Sequence, residues 1–130
     1  NNLMTQLFLL FSHSLTPDQQ ADAKASLGVD TFVALPEKLQ KKWSGVPADI
    51  PSLKKYLKPV KKWLKEKANP HDYVLIQGDF GASYSIVRFC KKNRLTPVYA
   101  TTVRQSIDET QPDGSIVTRR VFKHQIFREY

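Results

Sequence analysis

The sequence has one cysteine in 130 residues, Cys90. A lone thiol cannot close an intramolecular disulfide or build a cysteine-rich metal site, and it fits a reducing, cytoplasmic setting. Histidine is scarce too. His13, His71 and His124 show no metal-ligand spacing, so a zinc site is disfavoured and no metal or cofactor is implied. Long apolar runs are missing. Leu7–Phe11 is too short for a membrane span or a signal-peptide core, so no membrane partner is expected. Five glycines and eight prolines beside 41% apolar and 25% charged residues exclude collagenous, low-complexity and disordered chains. No internal repeat is visible. Several catalytic signatures are absent as well. There is no Gly-Lys-Ser/Thr phosphate loop, no third glycine of a dinucleotide fingerprint and no Gly-x-Ser-x-Gly elbow. Asp79-Phe80-Gly81 occurs in protein kinases, but a chain this short cannot be one.

What is present fits a single domain over residues 1–130, long enough for one real core. The net charge is +8, and its placement is uneven. Between Ser52 and Lys67 stand Lys54, Lys55, Lys58, Lys61, Lys62, Lys65 and Lys67 against Glu66 alone. Such a segment is either a solvated helix face or the footprint of an anionic partner.

The continuous apolar run Leu7–Phe11 reads as a strand buried on both faces. Thr16-Pro17-Asp18 starts a helix, with Thr16 as cap and Pro17 in the first helical position, and Gly28 stops it after Leu27. Thr31–Leu35 is a second strand, and Pro36-Glu37 opens a short helix to Trp43. Leu53, Tyr56, Leu57, Val60 and Leu64 follow helical spacing, with Pro59 expected to kink or split that helix. Asp72–Gln77 is a third strand. Gly81 to Asn93 is a helix with Val87 and Cys90 turned inward. Thr96–Ala100 is a fourth, short strand. Val103–Ile107 and Ser115–Phe122 form a hairpin around Pro112-Asp113-Gly114. Strands alternating with helices predict an α/β, Rossmann-like parallel sheet with helices on both faces and a C-terminal β-hairpin.

Such sheets bind ligands beyond the carboxyl ends of their strands, where the strand order reverses. Three loops are expected there. The first carries Ser12, His13 and Ser14, of which His13 is a candidate general acid or base, or a histidine held for packing. The second runs Gln77-Gly78-Asp79-Phe80-Gly81-Ala82. Glycines between a strand and a helix start suit an anion on the helix N-terminus, or simply a tight turn. Asp79 is at odds with a phosphate, and its expected work is to cap the helix or to meet a ribose. Gln77 can bond a ligand or tie two loops together. The third loop offers Thr101, Thr102 and Arg104 to phosphate oxygens, with a solvated arginine as the plainer reading. Lys123, His124 and Arg128 form a basic tail that clamps a ligand or lies on the surface. Together these residues favour a hydroxyl-rich polyanion such as a nucleotide or oligonucleotide.

"LFLLFSHSLTPDQQADAKASLGV", "LPEKLQKKWSGVP", "YVLIQGDFGASYSIV", "PVYATT" and "FKHQIFREY", in that order, resemble the small standalone CRISPR-associated ring nucleases of type III systems, CARF-related proteins of the Csx group. The resemblance covers Leu7 to Tyr130. It implies a CARF-like fold acting as a homodimer that binds cyclic oligoadenylate, most simply the four-membered ring, and cleaves it without a metal. The site residues rest on the loops rather than on the resemblance. His13 is the first choice for proton transfer and His124 the second, with Ser12 and Arg104 beside them. Ligand contacts are expected from Ser14, Gln77, Gly78, Asp79, Phe80, Gly81, Ala82, Thr101 and Thr102. A non-catalytic sensor or sponge for the same ring is the main alternative, although no appended effector region stands in the sequence for a sensor to control. A basic nucleic-acid-binding protein using the lysine-rich helix is a third class and predicts steep salt dependence. Aromatic interleaving there is modest, and no stable DNA binding is expected.

Overall fold

The computed structural model describes residues 4–130. Its elements are β1 (Gln6–Leu10), α1 (Pro17–Leu27), β2 (Thr31–Ala34), α2 (Glu37–Ser44), α3 (Lys58–Lys67), β3 (Tyr73–Ile76), α4 (Phe80–Lys92), β4 (Thr96–Thr110) and β5 (Ile116–Glu129). One five-stranded sheet runs in the order β2-β1-β3-β4-β5. The first four strands are parallel and β5 is antiparallel to β4. The α/β, Rossmann-like expectation with a C-terminal hairpin holds.

Period-two alternation explains why the β1 and β3 runs are apolar throughout. Leu7 and Leu75 face Ala23 and Val29 on the α1 side. Phe8, Leu10, Val74 and Ile76 face Trp43, Leu57, Leu64 and Ile86 from the other three helices and the turn before α3. The start of α1 follows its sequence signals. Thr16 Oγ1 accepts from the Gln19 N–H at 3.2 Å, and the Gln19 side chain accepts from the Thr16 N–H at 2.9 Å. Gly28 ends the helix in a left-handed conformation at φ 66°.

Two expectations fail. Pro59 does not kink or split a helix that starts near Leu53. Turns occupy residues 54–57, and α3 begins at Lys58 with Pro59 in its first turn. There a missing N–H costs nothing, since first-turn N–H groups have no helical partner. The second failure is at the C-terminus. Thr96–Ala100 and Val103–Ile107 are not two strands but one, the 15-residue β4. Beyond the sheet body β4 and β5 continue as a two-stranded ribbon, paired from Thr102↔His124 to Thr110↔Ile116. The backbone ladder carries the strand on after the apolar signal has faded. A register shift between Ala100 and Thr102 marks a bulge where ribbon meets body. Lys123, His124 and Arg128 therefore belong to β5 and form no tail.

At the amino end of the sheet Asp72 is 3% exposed and fully engaged. Its carboxylate accepts from the Gln6 N–H, the Gln6 side chain and the Asn69 N–H at 2.8–3.0 Å. No helix among the described residues is long and apolar enough to cross a membrane.

Candidate functional site

The strand order reverses between β1 and β3, so their carboxyl ends define the switch point. The Gln77 N–H donates to the Leu10 carbonyl at 3.0 Å, which fixes the two exits side by side. Ser12, His13 and Ser14 are exposed in the loop after β1 and line an open cavity of about 850 Å³. Gln20, Glu37, Gln40 and Lys41 from α1 and α2 complete its polar wall, and Lys41 pairs with Glu37 at 3.5 Å. The loop is held from α2: the Gln40 side chain donates to the Phe11 carbonyl at 3.0 Å, and the Ser44 hydroxyl donates to Ser12 Oγ at 3.2 Å. His13 packs edge-on against Phe11, with ring centroids 5.4 Å apart. It has no carboxylate partner among the described residues.

The second loop is more constrained. Gln77 Oε1 accepts from the Ala100 N–H at 2.7 Å, so this side chain ties β3 to β4 at the bulge. Gly78 lies against the indole of Trp43. A Cβ there would stand 2.8 Å from Trp43 Nε1 and 2.9 Å from Cε2. The same Nε1 donates to the Gln77 carbonyl at 3.1 Å. The close approach that a glycine implies is thus made by the protein's own tryptophan. Asp79 caps α4, with Oδ2 accepting from the Ala82 N–H at 2.9 Å. The Ala82 N–H is taken by that cap, and the N-terminal positive charge of α4 already meets a carboxylate. Phe80 is 95% exposed and Tyr84 64%. With Gly78, Ser83, Tyr99 and Tyr130 they surround a second hollow, of about 380 Å³. The Tyr130 hydroxyl donates to the Ile76 carbonyl, and burial holds its pKa above the ordinary phenol value, with nearby Tyr99 adding to the effect.

Thr101, Thr102 and Arg104 do not form a third loop. All three lie in β4. Thr101 Oγ1 accepts from the Ile126 N–H and donates to the Ile126 carbonyl, both at 3.1 Å, so it closes the bulge. Thr102 pairs with His124, and the Arg104 guanidinium lies 5.5 Å from the centre of the Phe122 ring. Two loops, not three, meet at the switch point.

His124 has its own partner. Its Nε2 lies 2.7 Å from Asp22 Oδ2 on α1, and its side chain is 6% exposed. Asp22 is held below the usual carboxylate range, first by the Ser26 hydroxyl and then, against an opposing desolvation, by His124. His124 Nδ1 is buried with no partner among the described residues. A cavity of about 450 Å³ lies here, between Thr16, Asp18 and Gln19 of the α1 start and Thr102 and His124. The two candidate histidines thus serve different cavities on either side of the first turn of α1. Among the described residues no group of three or more His, Cys, Asp or Glu side chains is placed to hold a metal ion.

Residues 5–128 match the family described as "Uncharacterized protein MJ1673 family". The chain belongs to the MJ1673 family. A relative in Methanocaldococcus jannaschii, "Uncharacterized protein MJ1673", is 51% identical over 127 residues, covering 98% of each chain. No solved structure matches the chain. Membership in the MJ1673 family fixes kinship, and activity has to be argued from the site. Sequence reasoning missed Trp43, Tyr84, Tyr99 and Tyr130 beside the switch point, and Asp22 as the partner of His124. For Trp43 a signal existed in Gly78, since a glycine at a strand exit announces a close neighbour without naming it.

Proposed function

We propose that this MJ1673-family chain is a metal-independent ring nuclease. It would bind cyclic oligoadenylate at the carboxyl ends of β1 and β3 and open the ring to linear oligoadenylate ending in a 2′,3′-cyclic phosphate. The observation that carries this reading is the open cavity lined by Ser12, His13 and Ser14 beside the switch point, together with the sequence resemblance. The ring brings its own nucleophile, the ribose 2′-hydroxyl beside each phosphate. Holding that hydroxyl in line with the leaving 5′-oxygen supplies much of the catalysis. His13 removes the 2′-hydroxyl proton as the new P–O bond forms, and the 5′-oxygen leaves with a proton returned to it. Ser12, Ser14 and Lys41 would donate to the non-bridging oxygens, with Lys41 exchanging its surface pair with Glu37 for the phosphate. A two-fold dimer would supply the donors twice, matching a ring of even symmetry. His124 is moved out of this reading, because Asp22 occupies it.

Incubation with cyclic tri-, tetra- and hexa-adenylate, with and without EDTA, followed by chromatography, tests the proposal. Cleavage of at least one ring is expected. Tight binding with no cleavage of any ring would replace the nuclease by a sensor or sponge. His13→Ala is expected to slow single-turnover cleavage by roughly 10²–10⁴-fold, and an unchanged rate would remove His13 from proton transfer.

A further inference from the structure

The lysine-rich segment is not uniform in the folded chain. Lys62 pairs with Glu66 at 3.9 Å on the surface. Lys54 and Lys61 instead turn into a cavity of about 720 Å³ between α3 and α4, where Arg88 and Lys92 meet them. Four cations line this cavity and no carboxylate does. None of the four is in an ion pair among the described residues. Their mutual repulsion registers at Lys61, whose pKa is lowered first by burial and then by Lys54, Lys92 and Arg88. Gathering like charges opposes folding, and a surface needed only for solubility would spread them.

Aromatic rings continue the same surface. Phe80, Tyr84, Arg88 and Lys92 recur every four residues, so they form one stripe along α4. Tyr84 lines both the cationic cavity and the neighbouring hollow under Phe80, Tyr99 and Tyr130. That hollow holds two polar groups. Ser83 Oγ is buried with no partner among the described residues. The Gln77 side-chain Oε1 accepts from the Ala100 N–H, which sets the orientation of its amide donors.

We propose that the groove along α4 is a binding site for single-stranded oligonucleotide. Its phosphates sit among Lys54, Lys61, Arg88 and Lys92, its bases stack on Tyr84 and Phe80, and one base edge meets Gln77 and Ser83. Cationic grooves interleaved with exposed rings hold single strands in this way, with stacking that tolerates any base. The site is distinct from the Ser12–Ser14 cavity. It rests on the ring-nuclease reading only for the expectation that the base is adenine, since linear oligoadenylate is the product of that reaction.

The test is fluorescence anisotropy of labelled linear tetra-adenylate against the full chain over a salt series. With three phosphates engaged, log affinity should fall against log salt with a slope near roughly −2. Lys61→Glu with Arg88→Glu should weaken binding about tenfold or more and flatten that slope. Lys58→Glu with Lys65→Glu changes net charge equally outside the groove and should weaken it about threefold at most. Tyr84→Ala should weaken binding about tenfold while leaving the slope unchanged. Lys61→Gln with Arg88→Gln repeats the test should the reversed pair fail to fold. Equal loss from the two charge pairs would overturn the proposal, leaving diffuse surface charge. Tyr84→Ala that alters oligomeric state and not affinity would overturn it as well, making the stripe a protein–protein face. The probe is already linear. A chain that cleaves no ring but binds it as described leaves this site standing, and one that cleaves rings but binds no linear tetramer refutes the site alone.

Discussion

Gly78→Ala puts a methyl group where Trp43 already is. The added carbon would lie 2.8, 2.9 and 3.1 Å from three indole atoms. Ordinary carbon contacts are about 3.5–4.0 Å, so the overlap is roughly 0.5–1 Å. The indole cannot yield easily. Trp43 is 2% exposed, packs in the cluster on the α3–α4 side and donates to the Gln77 carbonyl at 3.1 Å. Overpacking of this kind costs about 1–3 kcal/mol, and loss of the hydrogen bond adds about 1 kcal/mol. Against this, alanine restricts the unfolded chain and returns about 0.4–1 kcal/mol. Gly78 does not have a positive φ, so no backbone strain enters. The net expectation is destabilisation of about 2 kcal/mol, which at a urea m-value of about 2 kcal/mol/M lowers the midpoint by about 1 M. Urea melts in a Trp63→Phe background make Trp43 the sole tryptophan reporter, and its emission should shift to the red in the folded variant. In a double-mutant cycle with Trp43→Phe, followed by far-UV circular dichroism in the natural Trp63 background, about 1 kcal/mol or more of the loss should be recovered. An unchanged midpoint, or additivity within error, would refute the steric account and restore the possibility that Gly78 is kept open for a ligand.

The Asp22–His124 pair joins the ribbon to α1. Asp22→Asn should lower stability by about 1 kcal/mol near neutral pH, as expected for charge-assisted hydrogen bonds. Because the folded-state pKa of Asp22 is depressed, its contribution is present above the unfolded value of about 3.9 and fades as pH falls through the lower folded value. Thermal melts of wild type and variant should therefore converge below about pH 4; a gap that persists at acid pH would show that the carboxylate charge is irrelevant. Burial pushes the Cys90 thiol up to about 12. Native protein at mildly alkaline pH should resist thiol reagents until denaturant is added, and rapid labelling without denaturant would contradict that burial.

The parallel part of the fold was readable because its signals are local and agree with one another. Thr16, Pro17 and Gly28 bound α1 through backbone chemistry that needs no tertiary partner. The runs Leu7–Leu10 and Val74–Ile76 alternate between two buried faces, so apolarity alone marks them. The ribbon was misread for the opposite reason. Its residues are largely exposed, their apolar pattern is diluted, and its length comes from a ladder to β5 that no local pattern encodes. That misreading placed Thr101, Thr102 and Arg104 in a loop that the structure replaces by β4. The Gln77 and Asp79 roles were among those expected, a tie between segments and a helix cap, because a polar side chain at a strand exit and an Asp before a helix each have few other uses. Trp43 and Asp22 could not be found, since each acts on a residue far away in sequence.

The cap at Asp79 bears on where a phosphate can go. Its carboxylate already neutralises the start of α4, and a phosphate brought to about 4 Å would meet a repulsion of about 1 kcal/mol even in water and more where solvent is thin. Under the proposed function, anion recognition would therefore move off the helix terminus and onto side chains. Two sets of side chains are placed for it. Lys41, paired on the surface with Glu37, stands over the Ser12–Ser14 loop, and Lys54, Lys61, Arg88 and Lys92 stand along α4. The first set stands beside His13, the proposed proton-transfer group. On that proposal, chemistry at the phosphate falls to the first cavity and the second serves binding.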